Sequence, residues 1–166
     1  MAGKHIILDL YDVDPNIMIN INNDSISIKE WNMLLYNQFK QADVNCLNVS
    51  WHNFNNSGSF TALYLLSESH LSIHTWPEKK YIAIDIFTCG NSNIELLKDF
   101  IIKYFNPSKN EIKSFFRGNN IAKEEMISKN ETNNTNMNNT NTNNYVLSTK
   151  TKSSFNLNEM DSFIYY

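Results

Sequence analysis

Cysteine is scarce, positive charge is in deficit, and no long apolar run occurs anywhere in the 166 residues. Two cysteines, Cys46 and Cys89, cannot make a disulfide framework, and with no C-x-x-C or His-x-x-x-His spacing they offer no zinc site. The reading is therefore of free thiols and no metal. With Lys and Arg at 14 against 17 Asp and Glu, the net charge is -3, so no basic field invites a nucleic-acid backbone. The one short apolar run near the N-terminus, within MAGKHIILDLYDVD, meets Asp9 at once, which suits a first strand and neither a signal peptide nor a membrane span. These absences predict a cytosolic, cytoplasmic protein with no nucleic-acid or membrane partner.

What remains is 42% hydrophobic and 13% aromatic, enough for one domain with a real core and too short for two ordinary ones. Composition shifts sharply after Gly118, where Asn and Thr crowd out apolar residues. Such a tract cannot bury enough surface to offset the entropy of ordering it. The expected organisation is a folded domain over 1–118 and an Asn/Thr-rich, disordered tail over 119–166, whose last residues, FNLNEMDSFIYY, are apolar enough to dock somewhere.

Within the domain the hydrophobic period alternates between two and 3.6. Strands are expected at about 4–11, 46–54, 60–67, 70–76, 81–88 and 111–118. Ser27-Ile28-Lys29-Glu30 and Ser92-Asn93-Ile94-Glu95 read as capping boxes opening helices to about 41 and 105, with Pro107 beyond the second. The buried stripes would be Ile28, Trp31, Leu35 and Phe39 in the first helix, and Ile94, Leu97, Ile101 and Tyr104 in the second. This order predicts an α+β fold, a two-layer α/β sandwich with a mostly antiparallel sheet and helices on one face. So short a chain leaves the sheet's other face uncovered, and a homodimer that buries it is the economical answer.

The stretch ESHLSIHTWPE, 68–78, is unusual for a strand. His70, Ser72 and His74 share one face and Leu71, Ile73 and Thr75 the other. In the next strand Tyr81, Ala83, Asp85, Phe87 and Cys89 oppose Ile82, Ile84 and Ile86. Across the turn at 77–80 the two strands should pair as a hairpin, oily on one side and lined with hydroxyl, imidazole, carboxylate and thiol on the other. Buried polar groups without partners cost about 1 to 3 kcal/mol each, so this cluster is either a satisfied network or a site. From the residues alone, a Cys/His or Ser/His nucleophile pair and a purely structural network both remain open.

S-E-S-H-L-S-I-H-T-W-P-E followed by Y-I-A-I-D-I-F-T-C-G resembles the signature of the prokaryotic S-adenosylmethionine decarboxylases, self-processing enzymes that depend on a pyruvoyl group. G-K-H-I-I-L-D-L-Y at 3–11, W-H-N-F at 51–54 and R-G at 117–118 extend the similarity over the whole predicted domain. The resemblance implies self-cleavage between Glu68 and Ser69, giving a β chain of 1–68 and an α chain of 69–166. The Ser69 hydroxyl would attack the Glu68 carbonyl to give an ester; loss of the Ser69 α-proton would then eliminate the upstream chain and leave a dehydroalanine that hydrolyses to pyruvoyl. An amide is a poor target for a neutral hydroxyl, so strain and a held oxyanion are expected there.

By the same resemblance His74 is the base of the elimination. Thr61, where the family usually has Ser, assists with its hydroxyl, and Ser59 is the alternative. The pyruvoyl carbonyl would form a Schiff base with the substrate's α-amino group and act as the electron sink for loss of carbon dioxide. Cys89 would return a proton to the α-carbon, whereas Cys46 reads as a small buried hydrophobe. Phe54 resembles the aromatic against adenine and sulfonium, Glu78 the carboxylate on the ribose hydroxyls, and Leu71 and Trp76 pocket walls. Asp9 stands where Glu is more usual, and the loop after Phe54 is one residue longer than in comparable members. The implied activity is formation of decarboxylated S-adenosylmethionine, the aminopropyl donor for spermidine. A pyruvoyl-dependent ornithine or arginine decarboxylase and an unprocessed regulatory pseudoenzyme are the alternatives.

Overall fold

The computed structural model describes residues 3–54 and 58–118; the tail expected over 119–166 lies outside the described residues. Six strands form one sheet: β1 (Gly3–Tyr11), β2 (Cys46–Asn53), β3 (Phe60–Leu66), β4 (Ser69–Trp76), β5 (Tyr81–Cys89) and β6 (Lys109–Arg117). Their spatial order is β2-β3-β4-β5-β1-β6, and every pairing is antiparallel. Three helices, α1 (Pro15–Ile21), α2 (Ser25–Gln41) and α3 (Ile94–Phe105), cover one side. This is the expected α+β sandwich.

The period of two decides what each side holds. Ile6, Leu8 and Leu10 of β1, Tyr64 of β3, Leu71 and Ile73 of β4, and Ile82, Ile84 and Ile86 of β5 are all fully buried under the helices. Ile28, Trp31, Leu35 and Phe39 of α2 and Ile94, Leu97 and Ile101 of α3 meet them as expected. Phe105, rather than Tyr104, completes the α3 stripe; Tyr104 is only partly buried and packs its ring 4.8 Å from Trp31. The core's polar atoms are satisfied: Trp31 Nε1 donates to the Tyr64 hydroxyl at 2.9 Å, which donates to Asn32 at 2.6 Å.

Both capping boxes are corrected by the structure. Helix α2 starts a turn earlier, capped by Asp24, whose carboxylate accepts from the Ser27 amide at 2.7 Å. That bond holds the Asp24 carboxyl below its ordinary pKa. Ser92 donates instead to the Asp43 carbonyl at 3.2 Å, and Glu95 turns to Lys4 and Lys98. In each case the Ser-x-x-Glu spacing was present but a tertiary partner, or an aspartate upstream, claimed the groups. The short α1 escaped the periodicity, although Asp14-Pro15 is a readable start, with the Asp14 side chain accepting from Asn16 and proline at the first helical position.

Two glycines permit close approaches at the margins of the sheet. A Cβ on Gly3 would lie 2.5 Å from the Phe87 ring, so its absence lets that ring lie across β1, where the Arg117 guanidinium sits 4.5 Å above it. Gly58, at φ 73, presses against Ile19 of α1 so closely that a Cβ would come within 2.8 Å of the Ile19 Cα, which anchors the end of the β2–β3 loop.

Candidate active site

Among the described residues, the side of the sheet away from the helices carries no covering layer. Leu63, Leu65 and Phe115 are between 43% and 49% exposed there, a group of large apolar side chains open on one side of the sheet. Apart from Leu71, the residues singled out from the sequence lie on this open side or at its margins, and they separate into two groups at opposite ends of β4.

At the β4 start, Ser67 and Glu68 form the two-residue connection from β3, with Leu66 paired to Ser69. Neither loop residue has a positive φ; Ser69 does, at 153°. Tight hairpins need backbone that side-chain-bearing residues resist, and here, with no glycine or asparagine in the loop, that conformation falls on the serine. The turn is pinned from outside. Ser67 N–H donates to the Asn45 carbonyl at 2.9 Å, and the Asn45 N–H donates to the Glu68 carboxylate at 3.1 Å. The Cys89 amide, at the end of β5, donates to the Glu68 carbonyl oxygen at 3.0 Å. The Ser69 hydroxyl lies 3.1 Å from Nδ1 of His70, whose ring packs 5.9 Å from Phe87. Beside this group His5 Nε2 contacts Asp85 at 3.2 Å.

At the other end, His74 and Thr61 are direct cross-strand partners, and His74 Nδ1 lies 2.6 Å from the Thr61 hydroxyl. Thr61 thus provides a hydroxyl that touches His74. Ser59 faces the same region with its carbonyl accepting from Phe54 N–H at 3.0 Å and from the Asn22 amide at 3.2 Å. A cleft of about 270 Å³ is lined by Phe54, Ser59, Phe60, His74, Thr75 and Trp76. Phe54 is 54% exposed, its ring 4.7 Å from that of His52. Glu78 is exposed in the single 3-10 turn Pro77–Lys79 just beyond Trp76.

Trp76 continues into an aromatic row in register across the sheet: it stacks on Tyr81 at 5.3 Å, Tyr81 lies 5.3 Å from Tyr11, and Lys109 caps Tyr11 at 5.0 Å. Tyr81 donates to Asp9, and burial, then that hydrogen bond and charge, raise its phenol well above the ordinary tyrosine range. Asp9 therefore has a defined partner at the Trp76 end.

One sequence expectation changes. Leu71 is fully buried on the helix side between Tyr64 and Ile86, so its side chain cannot wall a pocket on the open side. His74 is not beside Ser69. They stand five positions apart along the strand, about 16 Å at a strand's rise. Phe60 and Thr75 of the cleft were missed because they are core residues by alternation and reach it only at the open corner left after β2. Cys46 is buried as expected, and that burial pushes its thiol pKa up to about 11, leaving it protonated and inert. Cys89 is half-buried at the Ser69 end. Among the described residues no cluster of His, Cys, Asp and Glu could hold a metal ion, and no helix is long and apolar enough to cross a membrane.

Residues 4–118 match the family model described as S-adenosylmethionine decarboxylase. The chain is 40% identical over 117 residues to S-adenosylmethionine decarboxylase proenzyme 2 of Bacillus cereus, a match covering 70% of this chain and 89% of that one. It is 33% identical over 128 residues to the proenzyme of Picrophilus torridus, covering 76% and 92% respectively. Among solved structures, the adenosylmethionine decarboxylase of Aquifex aeolicus superposes with a TM-score of 0.58 at 33% identity, over 70% of this chain and 90% of that one.

Proposed function

The chain belongs to the S-adenosylmethionine decarboxylase family, and from that premise we propose that it cleaves itself between Glu68 and Ser69 and works with a pyruvoyl group made from Ser69. The reaction is removal of the carboxylate of S-adenosylmethionine, giving the aminopropyl donor for spermidine. The observation that carries the self-processing reading is the junction itself: a serine at φ 153 follows a carbonyl already hydrogen-bonded by the Cys89 amide. Strain raises the energy of the intact peptide, and the amide donor is aimed at the oxygen where negative charge develops when the hydroxyl attacks. Residues fitted to make the group are thus in place. The pyruvoyl carbonyl, when formed, takes the substrate's amine and supplies the electron sink.

The chain's own side chains then have definable tasks. Cys89, held at the Ser69 end, is the proton donor to the α-carbon. Phe54 and Trp76 present π faces to the sulfonium and adenine, an attraction of about 0.5 to 2 kcal/mol once water is displaced. Glu78 stands at the same end for the ribose hydroxyls. His74, ordered by Thr61, is the base that removes the Ser69 α-proton.

Because His74 lies about 16 Å from Ser69 along its own strand, that assignment supports a homodimer of αβ units with sites shared between copies. A two-fold axis between two open sides, perpendicular to β4, sets the Ser69 end of one copy over the partner's His74 and cleft, and does so twice. The same packing covers Leu63, Leu65 and Phe115. The two free thiols fit a cytosolic setting.

Intact mass and denaturing gels test the reading directly. The purified 19.3 kDa chain should resolve into two pieces divided after Glu68, the larger blocked to amino-terminal sequencing, and Ser69→Ala should stay whole and inactive. A wild-type chain that never splits, or a Ser69→Ala chain that does, overturns it.

A further inference from the structure

His70 has no part in the chemistry assigned to His74 and Cys89, yet its Nδ1 lies within hydrogen-bonding distance of the reacting hydroxyl, at 3.1 Å. We propose that His70 is the general base for the first step of self-cleavage, the transfer of the Glu68 acyl group from the Ser69 nitrogen to the Ser69 oxygen. The inference rests on the self-processing reading and divides its two proton transfers between two histidines.

The contact is not a generic feature of neighbouring residues. In a regular strand, successive side chains point to opposite sides, and Ser69 and His70 would not meet. The φ of 153° at Ser69 breaks that alternation and brings the hydroxyl to 3.1 Å from His70 Nδ1. The same backbone feature that strains the peptide therefore also supplies the nucleophile with a base. Phe87 backs the imidazole with ring centroids 5.9 Å apart, which limits its rotation away from the serine. With its proton on Nε2, the ring presents Nδ1 as an acceptor for the hydroxyl.

The step balances within one chain. The Ser69 hydroxyl proton passes to His70 Nδ1 as the oxygen bonds to the Glu68 carbonyl carbon. The negative charge gathers on the Glu68 oxygen, where the Cys89 amide already donates at 3.0 Å. The carbon–nitrogen bond to Ser69 then breaks, and the departing nitrogen takes the proton back from His70. The products are an ester at Ser69 and a free amine, with His70 neutral again and nothing consumed. Nucleophile, base and oxyanion donor all come from the same copy, whereas His74 of that copy is about 16 Å distant. His74 is thus left with the second step alone, the removal of the α-proton from the ester.

Hydroxylamine separates the steps, since at neutral pH it cuts the ester and spares the amide. His74→Ala should accumulate a hydroxylamine-sensitive chain that breaks after Glu68. His70→Gln and His70→Ala should slow self-cleavage about 100-fold or more, the usual contribution of a positioned base, and should accumulate a hydroxylamine-resistant chain. Adding His70→Gln to His74→Ala should abolish the hydroxylamine cut. Imidazole in the buffer should partly restore cleavage of His70→Ala and not of His70→Gln, where the amide fills the space; recovery in solution excludes misfolding as the cause. The inference is overturned if the His70 variants split at the wild-type rate, if they accumulate ester as His74→Ala does, or if imidazole leaves His70→Ala unchanged. An unsplit wild-type chain would instead bring down the pyruvoyl reading, so the two failures are distinguishable.

Discussion

The two ends of β4 present different chemistry to the same open side. At the Ser69 end, backbone does most of the positioning: an awkward φ, a carbonyl held by the Cys89 amide, and a turn tied to Asn45 by two bonds. At the His74 end, side chains do it, through the Thr61–His74 contact, the Phe54–Trp76 cleft and the aromatic row that continues to Tyr11. A bond-breaking site needs fixed atoms, and backbone anchored in a sheet supplies them. A site for a large, partly aromatic cation needs surface, which exposed rings supply.

That division can be broken most severely by separating its halves onto different chains. Ser69→Ala and His74→Ala should each remain uncut alone, whereas a co-expressed mixture should show cleavage of the His74→Ala chains, because a mixed pair sets one intact Ser69 against the partner's intact His74. Gels distinguish all-or-none outcomes here, and an uncut mixture would place both residues' work within one copy.

A graded contrast comes next. Cys89→Ala should still split but lose about 100-fold or more in kcat, the scale of a missing proton donor. Phe54→Ala should also split, keep kcat near wild type and raise KM about 2- to 30-fold, the scale of one cation–π contact. Steady-state kinetics on the cleaved proteins would show whether the ends divide chemistry from binding. A shared kcat effect would erase the distinction.

The smallest effect concerns what supports the Ser69 end. Lys4 sits beside Gly3, which pairs with Cys89, and bonds Glu95 of α3, as does Lys98. The hydrogen bonds from Lys4 and then Lys98 hold the Glu95 carboxyl below its ordinary pKa. A depressed folded-state pKa adds stability above the unfolded value, and that stability is lost as pH falls through the folded one. Glu95 is 40% exposed, so solvent screening keeps the contribution to roughly 1 kcal/mol or less. Glu95→Gln should lower thermal stability slightly at neutral pH, with the gap from wild type closing in acid. A gap that persists in acid would point to packing as its source.

Much of this arrangement was legible in the residues. Alternation from Leu71 to Thr75 and from Tyr81 to Cys89 placed the polar side chains on one face. The spacing of Phe39 after Leu35 and Trp31 located α2 correctly even though its cap was assigned to Ser27 in place of Asp24. Leu71 shows the opposite failure, since alternation already put it with the core, and the resemblance to the family carried it to the wrong side. Ser-x-x-Glu at 92–95 failed because Lys4, about ninety residues away in sequence, offers Glu95 a partner that no local pattern reveals.

Local chemistry, then, settled which residues face which way: side-chain period, turn composition and apolar content act over a few positions and can be read along the chain. Folding in three dimensions decided which of them meet. The Cys89 amide reaches the Glu68 carbonyl only because β5 pairs with β4 in one register. Thr61 meets His74 because β3 pairs with β4 as it does, and His70 touches Ser69 only because the β3–β4 turn forces an unfavourable φ upon the serine. Register is set by the summed packing and hydrogen bonding of whole strands, so contacts that depend on it cannot be inferred from any one segment.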